Sequence, residues 1–324
     1  MTILITGGAG YIGSHFAWHL FDAAQPFVVL DDLSTGVETN LPANTTLIKG
    51  DLADDTVLDE IFTKHAISAV VHFAGSIVVP ESVENPLKYY SNNTAKSAVL
   101  FAAMVRHGVK NLIFSSTAAV YGIPDVAVVS ETTPKAPISP YGTSKLMTEQ
   151  IIADVHAAHG LNAVVLRYFN VAGADPQGRT GQSFPKATHL IKVACEAALG
   201  KRARLDIYGT DYSTPDGTGI RDYIHVSDLA AAHKVCLTFL NTNAGVHTFN
   251  CGYGRGFSVL EVIESVKRAS GVDFAVNRTD RRAGDPPQLI SSPEQLHAQT
   301  GWRPHHDNLD TIVSTALAWE RKLS

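Results

Sequence analysis

The chain begins with a short apolar run that leads directly into a glycine-rich segment. Ile3-Leu4-Ile5-Thr6 has the composition of a buried strand, and Gly7, Gly10 and Gly13 follow it before a helical pattern starts. In a G-x-x-G-x-x-G spacing the first glycine permits a tight turn, the second lets a ligand approach the backbone, and the third lets helix and strand pack closely. Because unpaired N–H groups at a helix start favour anions, this segment predicts a pyrophosphate site rather than a turn without a ligand.

Further apolar runs of strand length recur through the first half of the chain. Longer helical patterns, such as Pro86 to His107 and Tyr141 to His159, separate them. Short continuous apolar runs suit strands that are covered on both faces. Strands alternating with helices in this way predict an α/β fold, a Rossmann-type doubly wound parallel sheet. The predicted strands include Ile3–Thr6, Phe27–Leu30, Thr46–Ile48, Ala69–Phe73, Asn111–Phe114 and Ala163–Leu166.

After Asn170 the sequence becomes rich in Gly, Pro and Asp, a composition typical of surface or ligand-binding loops. We therefore expect two domains. The first is an NAD-binding Rossmann domain over residues 1–170, with a return segment around 220–240. The second is a smaller C-terminal α/β substrate-binding lobe over residues 171–324.

The choice of dinucleotide follows from the end of the second predicted strand. Asp31 and Asp32 stand there, and Asp31 lies 18 residues beyond Gly13. A carboxylate at this place accepts hydrogen bonds from the adenosine ribose hydroxyls and repels a 2′-phosphate. The following residues, Leu33 to Gly36, contain no Arg. The cofactor predicted is NAD rather than NADP.

Composition excludes several other classes of protein. The net charge of −5 disfavours nucleic acid as the main partner, because phosphate neutralisation needs a basic surface. We expect no signal peptide and no membrane segment, since no apolar run is long enough to span a bilayer. The 14 His residues form no metal-binding motif, so no metal is predicted. Three cysteines without a C-x-x-C spacing favour a cytoplasmic protein without disulfides.

A second motif supplies candidate catalytic residues. In Ser139-Pro140-Tyr141-Gly142-Thr143-Ser144-Lys145, Ser139 suits a helix cap and Pro140 the first helical position. Tyr141 and Lys145 are then one turn apart on the same helix face. A surface pair would have the same spacing. The catalytic interpretation depends on the run Ser115-Ser116-Thr117, which ends a predicted strand.

This pair can form a base for a sugar hydroxyl. Lowering a tyrosine pKa from ~10 by about three units takes about 4 kcal/mol. An ammonium at ~4 Å, with an effective dielectric near 20, supplies roughly that amount. Thr117 or Ser116 can then hydrogen-bond the reacting oxygen and hold it beside Tyr141.

Together these segments resemble the extended short-chain dehydrogenase/reductases, and within them the UDP-glucose 4-epimerase family. The resemblance spans almost the whole chain and is specific, because its segments come in order at natural spacing. They are TGGAGYIGSH, VVHFAG, PLKYYSNN, FSSTAAVYG, SPYGTSKLMTE, LRYFNVAGA and DGTGIRDYIHVSDLA. It implies an isomerase that inverts C4 of a UDP-hexose through a 4-keto intermediate, with UDP-galactose and UDP-glucose as substrates.

The resemblance also implies residue roles. Tyr141 is the acid/base, Lys145 its electrostatic partner, and Thr117 the contact to the C4 oxygen. The cofactor-binding set is Gly7, Gly10, Tyr11, Ile12, Gly13, Asp31, Asp32, Asp51, Leu52, Phe73, Ala74, Gly75, Asn92, Ser115, Tyr141, Lys145 and Phe169. The substrate-binding set is Thr117, Tyr141, Tyr168, Asn170, His189, Leu190, Tyr208, Arg221, Arg282, Asp285 and Leu289. Within it, Tyr208 packs on uracil, while Arg221, Arg282 and Asp285 hold the diphosphate and the uridine ribose.

Three positions depart from the best-known members of that family. Ile77 stands in place of Lys, His189 in place of Asn, and Leu289 in place of Tyr or Cys. The last position separates hexoses from N-acetylhexosamines, so a 4-epimerase of UDP-GlcNAc/UDP-GalNAc or of UDP-xylose/UDP-arabinose stays an alternative.

A dehydratase and a non-catalytic NAD(H)-sensing protein are two further alternatives. A sugar-nucleotide 4,6-dehydratase needs Asp and Glu after the Thr, where Ala118 and Ala119 stand. A non-catalytic NAD(H)-sensing protein commonly lacks the Tyr or the Lys, and both are present here. The resemblance also implies a homodimer built through the Pro86–His107 and Tyr141–His159 helices.

Overall fold

The computed structural model of the chain describes residues 2–282 and 284–323. Strands and helices alternate through its first half. The strands are β1 (Thr2–Thr6), β2 (Phe27–Asp31), β3 (Leu47–Lys49), β4 (Ile67–His72), β5 (Asn111–Thr117), β6 (Val128–Val129), β7 (Asn162–Tyr168), β8 (Asn170–Ala172), β9 (Leu205–Tyr208), β10 (Ile220–His225), β11 (Val246–Cys251), β12 (Gly256–Ser258), β13 (Val276–Thr279) and β14 (Gln288–Ser291).

The helices complete this element order. They are α1 (Tyr11–Asp22), α2 (Asp55–Lys64), α3 (Val79–Glu84), α4 (Pro86–Tyr89), α5 (Lys96–Arg106), α6 (Pro140–His159), α7 (Leu190–Ala198), α8 (Val226–Leu240), α9 (Val259–Ser270), α10 (Glu294–Thr300) and α11 (Leu309–Lys322). The six strands predicted from apolar runs correspond to β1, β2, β3, β4, β5 and β7.

One predicted helix differs in its interior. The Pro86–His107 segment contains a π-helical stretch, Tyr90–Ala95, between α4 and α5. Asn93 and Thr94 within it are buried, and both bond to Ser144 of α6. π-helical turns of this kind are frequent at functional sites. Such a turn depends on long-range polar contacts, which helical periodicity does not report.

Contacts divide the chain into two compact units. The first comprises Met1–Val120, Pro137–Arg167 and Ala230–Phe249, and the second comprises Tyr121–Ala136, Tyr168–Leu229 and Asn250–Ser324. The segment 121–136 groups with the second unit, although it precedes residue 170. The predicted division of the chain at residue 170 stays a prediction.

A seven-stranded sheet organises the first unit, in the order β11-β7-β5-β4-β1-β2-β3. The pairs β1–β2, β1–β4, β2–β3 and β4–β5 are parallel. Leu4, Leu30 and Val70 face a core that also contains residues of α2, α5 and α6. The alternate residues Ile5 and Val29 are buried as well, so both faces are covered. The predicted doubly wound α/β fold is confirmed.

The second unit is a smaller α/β arrangement. β8, β10, β12, β14 and β6 form one sheet, and β9 pairs with β13. Helices α7, α9 and α11 contribute most of its apolar core. A buried ion pair of 2.7 Å between Lys192 and Glu320 joins α7 to α11. None of the helices that the structure describes is long and apolar enough to cross a membrane.

Candidate active site

The helix α6 begins at the predicted cap and presents Tyr141 and Lys145 one turn apart. The Ser139 hydroxyl accepts the backbone N–H of Gly142 at 3.2 Å, and Pro140 occupies the first turn. Both candidate catalytic side chains are buried, with 8% exposure for Tyr141 and 3% for Lys145. The interpretation of this spacing as a surface pair is therefore excluded.

The Lys145 ammonium is fixed at the carboxyl end of β5. Its Nζ donates a 2.9 Å hydrogen bond to the carbonyl oxygen of Ser115 and lies 4.9 Å from the centre of the Phe114 ring. Burial lowers the pKa of Lys145 to about 8, and the nearby Glu149 carboxylate opposes this shift. A buried cation is thus held beside the end of a parallel strand, where sites of such sheets commonly lie.

Tyr141 and Thr117 form the reactive part of this group. Burial raises the pKa of Tyr141, and a hydrogen bond from Thr117 opposes the rise. The sequence left Ser116 and Thr117 as alternatives for the contact to the reacting substrate oxygen, and that contact stays a prediction. In the structure the Ser116 hydroxyl donates to Glu149 at 2.5 Å, whereas Thr117 bonds Tyr141.

The glycine-rich turn has the close approaches that its spacing predicts. Gly7 has φ +68°, and a Cβ there would lie 2.6 Å from the backbone nitrogen of Ala74. A Cβ on Gly13 would lie 2.3 Å from the carbonyl oxygen of Gly7. The turn leads straight into α1, and Tyr11, Ile12 and Gly13 form the first turn of that helix. Backbone this compact at a helix start suits a pyrophosphate.

Backbone hydrogen bonds hold the Asp31 side chain beside this turn. Its carboxylate accepts the backbone N–H groups of Ala9 and Leu33, each at 2.8 Å, and the residue is 7% exposed. A Cβ on Gly36 would lie 2.8 Å from the same carboxylate. Asp32 caps the next turn by accepting from Ser34 at 2.9 Å. The residues present therefore fit a dinucleotide with a free ribose.

Other predicted cofactor residues lie in the same unit. Asp51 accepts from Lys96 at 2.7 Å, while Leu52 is buried in the core. The Phe73 ring packs 4.7 Å from His233, and Ala74 and Gly75 follow it in the loop after β4. Asn92 donates to the Ser76 hydroxyl at 3.1 Å.

The second unit brings most of the predicted nucleotide contacts together. The Arg282 guanidinium lies 3.7 Å from the centre of the Tyr208 ring. Arg221 lies 3.8 Å from the Asp285 carboxylate. Leu289 of β14 pairs with Arg221 of β10 in a parallel ladder. Cations, an aromatic ring and the predicted specificity residue thus share one region.

The remaining predicted substrate residues lie on other elements of this unit. Asn170 opens β8 opposite Tyr223, directly after Tyr168 and Phe169. His189 precedes α7, whose first residue is Leu190. Burial lowers the pKa of His189, with Lys192 adding to the shift, so this side chain is neutral. Phe169 is buried, whereas Tyr168 is half-buried.

Sequence reasoning missed several buried polar residues around Lys145. Asn93, next to the predicted Asn92, is 1% exposed and bonds Ser76 and Ser144. Glu149 and Arg167 form an ion pair of 2.6 Å. The signal for Glu149 was its position one turn after Lys145, which places it on the same helix face.

The comparisons with known proteins agree with this geometry. Residues 3–252 match the NAD dependent epimerase/dehydratase family. The chain belongs to this family. Its predicted cofactor, NAD, is confirmed by that membership and by the fit of the glycine-rich turn and Asp31.

Several relatives match this chain over almost its whole length. The chain is 57% identical over 321 residues to UDP-glucose 4-epimerase of Azospirillum brasilense, a match that covers 99% of this chain and 92% of the relative. The crystal structure of UDP-glucose 4-epimerase from Brucella ovis in complex with NAD superposes with a TM-score of 0.95 at 43% identity and 98% coverage of both chains. The UDP-Glc/GlcNAc 4-epimerase from Campylobacter jejuni has a TM-score of 0.87 at 48% identity, with 99% coverage of both.

Proposed function

We propose that this chain is an NAD-dependent epimerase that inverts the C4 hydroxyl of a UDP-hexose, interconverting UDP-galactose and UDP-glucose. The observation that carries the proposal is the buried group of Tyr141, Thr117 and Lys145 in a chain 57% identical to a UDP-glucose 4-epimerase. A tyrosine beside a fixed ammonium can exchange a proton with a secondary alcohol, which reversible oxidation at C4 requires.

Tyr141 acts as base and then as acid. NAD, when bound, supplies the group that accepts the C4 hydride and returns it. Tyr141 takes the O4 proton, and the Thr117 hydroxyl holds that oxygen in place. After the 4-keto sugar has turned over about its diphosphate link, Tyr141 returns the proton to O4.

The charge state of Tyr141 depends on its surroundings. Because burial raises its pKa, the tyrosine is neutral in the ligand-free protein. An ammonium that comes within ~4 Å of the phenol oxygen, with an effective dielectric near 20, would offset about 4 kcal/mol of this cost. We therefore assign Lys145 the task of making Tyr141 a base once the site is filled.

Residues of the second unit would bind UDP firmly. Arg221 and Arg282 suit the diphosphate, because a guanidinium fork binds oxygens bidentately. Asp285 would accept from the uridine ribose, and the exposed part of the Tyr208 ring would pack on uracil. Firm binding of UDP with a loose hold on the hexose lets the intermediate turn without leaving.

Leu289 sets the expected substrate range. It is smaller than Tyr, so some use of UDP-GlcNAc and UDP-GalNAc accompanies the main hexose pair, and the pentose pair UDP-xylose/UDP-arabinose is the other alternative. Comparing kcat/KM for UDP-galactose and UDP-GalNAc ranks these substrates. A higher value for the acetylated sugar would make the enzyme a UDP-GlcNAc 4-epimerase first.

A dehydratase is disfavoured by the residues after Thr117. Ala118 and Ala119 begin the 3₁₀ turn there, and neither side chain can transfer a proton. Incubation with dTDP-glucose tests this alternative, because only elimination forms a 4-keto-6-deoxy sugar.

The decisive test of the proposed function is direct. Purified protein is incubated with UDP-galactose, without added NAD⁺, and UDP-glucose is followed by NMR. We expect conversion to an equilibrium mixture, and Tyr141→Phe serves as the inactive control. Absence of UDP-glucose even after NAD⁺ is added would refute the proposal.

The proposal also includes an oligomeric state and a cellular location. A homodimer is supported by the exposed apolar side chains of α3, α4 and α6, with exposures of 64% for Val83, 78% for Leu87 and 45% for Met147. A cytoplasmic location is supported by Cys195 and Cys236, which are free and buried, and by Cys251, which is also buried.

A further inference from the structure

A buried carboxylate lies directly behind Lys145. Glu149 follows it by one turn of α6, and its side chain is 9% exposed. The guanidinium of Arg167 binds this carboxylate through two nitrogens, at 3.0 and 2.6 Å. The Ser116 hydroxyl donates a further hydrogen bond to it at 2.5 Å. Hydrogen bonds from a guanidinium fork and a hydroxyl hold this carboxylate in one orientation.

The partners of Glu149 lie on two neighbouring strands. Ser116 belongs to β5 and Arg167 to β7, which are adjacent in the sheet. The residues on either side of Ser116 are Ser115, whose carbonyl holds Lys145, and Thr117, which bonds Tyr141. The Glu149 side chain of α6 therefore holds the end of β5, the strand end whose residues contact Lys145 and Tyr141.

The same carboxylate determines the charge environment of Lys145. Two titratable groups interact electrostatically with this ammonium: Glu149 on α6 and His72 on β4. Arg167 on β7 pairs with the Glu149 carboxylate. His72 is neutral, since burial lowers its pKa to about 3. Burial lowers the pKa of Lys145 as well, and Glu149 is the group that raises it.

We propose that Glu149 is a positioning residue for the reaction at Tyr141: its buried carboxylate keeps the Lys145 ammonium charged and fixes the end of β5. This inference rests on the proposed function only for its effect on activity. The effect on Lys145 itself is a property of the protein and can be measured without turnover.

The first experiment titrates Lys145 directly. Carbon-13 NMR of lysines labelled at Cε, with Lys145→Met to assign the resonance, reports its pKa in the full-length protein. Glu149→Gln should move the midpoint from about 8 to about 7, since loss of a nearby opposite charge lowers the pKa of an ammonium by about one pH unit or more. Arg167→Met is the matched control, because it breaks the same ion pair but leaves the carboxylate near Lys145. Its midpoint should stay at the wild-type value or rise.

The second experiment follows kcat across pH. With a midpoint near 7, Glu149→Gln loses about twofold at pH 7 and about tenfold at pH 9 relative to wild type, because a smaller fraction of Lys145 is charged. A merely structural role would lower kcat equally at both values. Inactive wild-type protein would refute the proposed function while leaving the NMR result to decide this inference.

Breaking a buried ion pair endangers folding, so a double variant completes the design. Glu149→Gln with Arg167→Met removes both charges together, which such pairs commonly tolerate. Its Lys145 midpoint should lie below that of Arg167→Met, because these two proteins differ only in the carboxylate. Equal Lys145 midpoints in Arg167→Met and the double variant would overturn the proposal.

Discussion

The Lys145 ammonium and the Ser115 carbonyl oxygen are joined by a 2.9 Å hydrogen bond. This contact ties the second turn of α6 to the end of β5. It holds a buried cation one helical turn from Tyr141, which bonds Thr117 of the same strand. A backbone acceptor cannot be altered by substitution, so the position of the ammonium depends on the strand itself.

Replacing Tyr141 by Phe should abolish most of the activity and leave the cofactor site intact. Loss of a positioned proton donor and acceptor costs roughly 10²–10⁴-fold in kcat. NAD binding, followed by fluorescence of the reduced form, should be nearly unchanged. Tyr90→Phe, which removes a hydroxyl from the π-helical segment, is the control and should retain activity. Full activity of Tyr141→Phe would instead point to a base outside this group.

His72 should make the protein sensitive to acid. Burial lowers its pKa from 6.5 to about 3, while Thr6 and Ser97 hold the neutral ring at 2.6 and 2.8 Å. Because the unfolded state binds a proton below pH 6.5 and the folded state does not, stability falls between pH 6.5 and 3. The loss from this group is on the order of 5 kcal/mol.

Chemical denaturation at several pH values measures this loss. His72→Gln should show a shallower decline of the unfolding free energy between pH 7 and 4.5 than wild type, from a lower starting value. His159→Gln alters an exposed histidine and should follow the wild-type slope. Equal slopes in all three proteins would show that His72 takes up its proton in the folded state.

Arg221 should contribute to substrate binding more than to turnover. Hydrogen bonds to charged groups contribute about 1.5–3 kcal/mol, so Arg221→Met should raise KM for UDP-galactose about 10- to 100-fold with a smaller change in kcat. Arg204→Met removes another arginine of the second unit, one whose side chain is 63% exposed, and should leave KM unchanged. Equal KM values in the two variants would remove Arg221 from the substrate site.

Leu289 should control the choice between hexose and N-acetylhexosamine. Leu289→Ala enlarges the space next to Arg221 on the neighbouring strand and should raise the ratio of kcat/KM for UDP-GalNAc over UDP-galactose. Leu289→Tyr should lower it, each by about tenfold or more, because a single methylene group in an apolar pocket already changes discrimination by about tenfold. Ile290→Val is the control, because successive side chains of a strand point to opposite faces. If this ratio changes in neither Leu289 variant, residues other than Leu289 determine the choice between the two sugars.

Local patterns determined much of the first unit. Apolar runs predicted its strands, because a buried parallel strand must be apolar on both faces. Ser139 and Pro140 predicted where α6 begins, since a cap and a first-turn proline act within a few residues. The glycine spacing before α1 predicted the phosphate turn for the same reason. Each of these signals lies within one short stretch of chain.

Tertiary structure alone decided which polar groups meet. The hydrogen bond between Thr117 and Tyr141, the bond from Lys145 to Ser115, and the Glu149–Arg167 pair all join residues distant in the chain. The π-helical stretch at Asn93 and the grouping of residues 121–136 with the second unit are of the same kind. Buried hydrogen bonds and ion pairs depend on which elements pack together, and one sequence read alone contains propensities and spacings but not those distances.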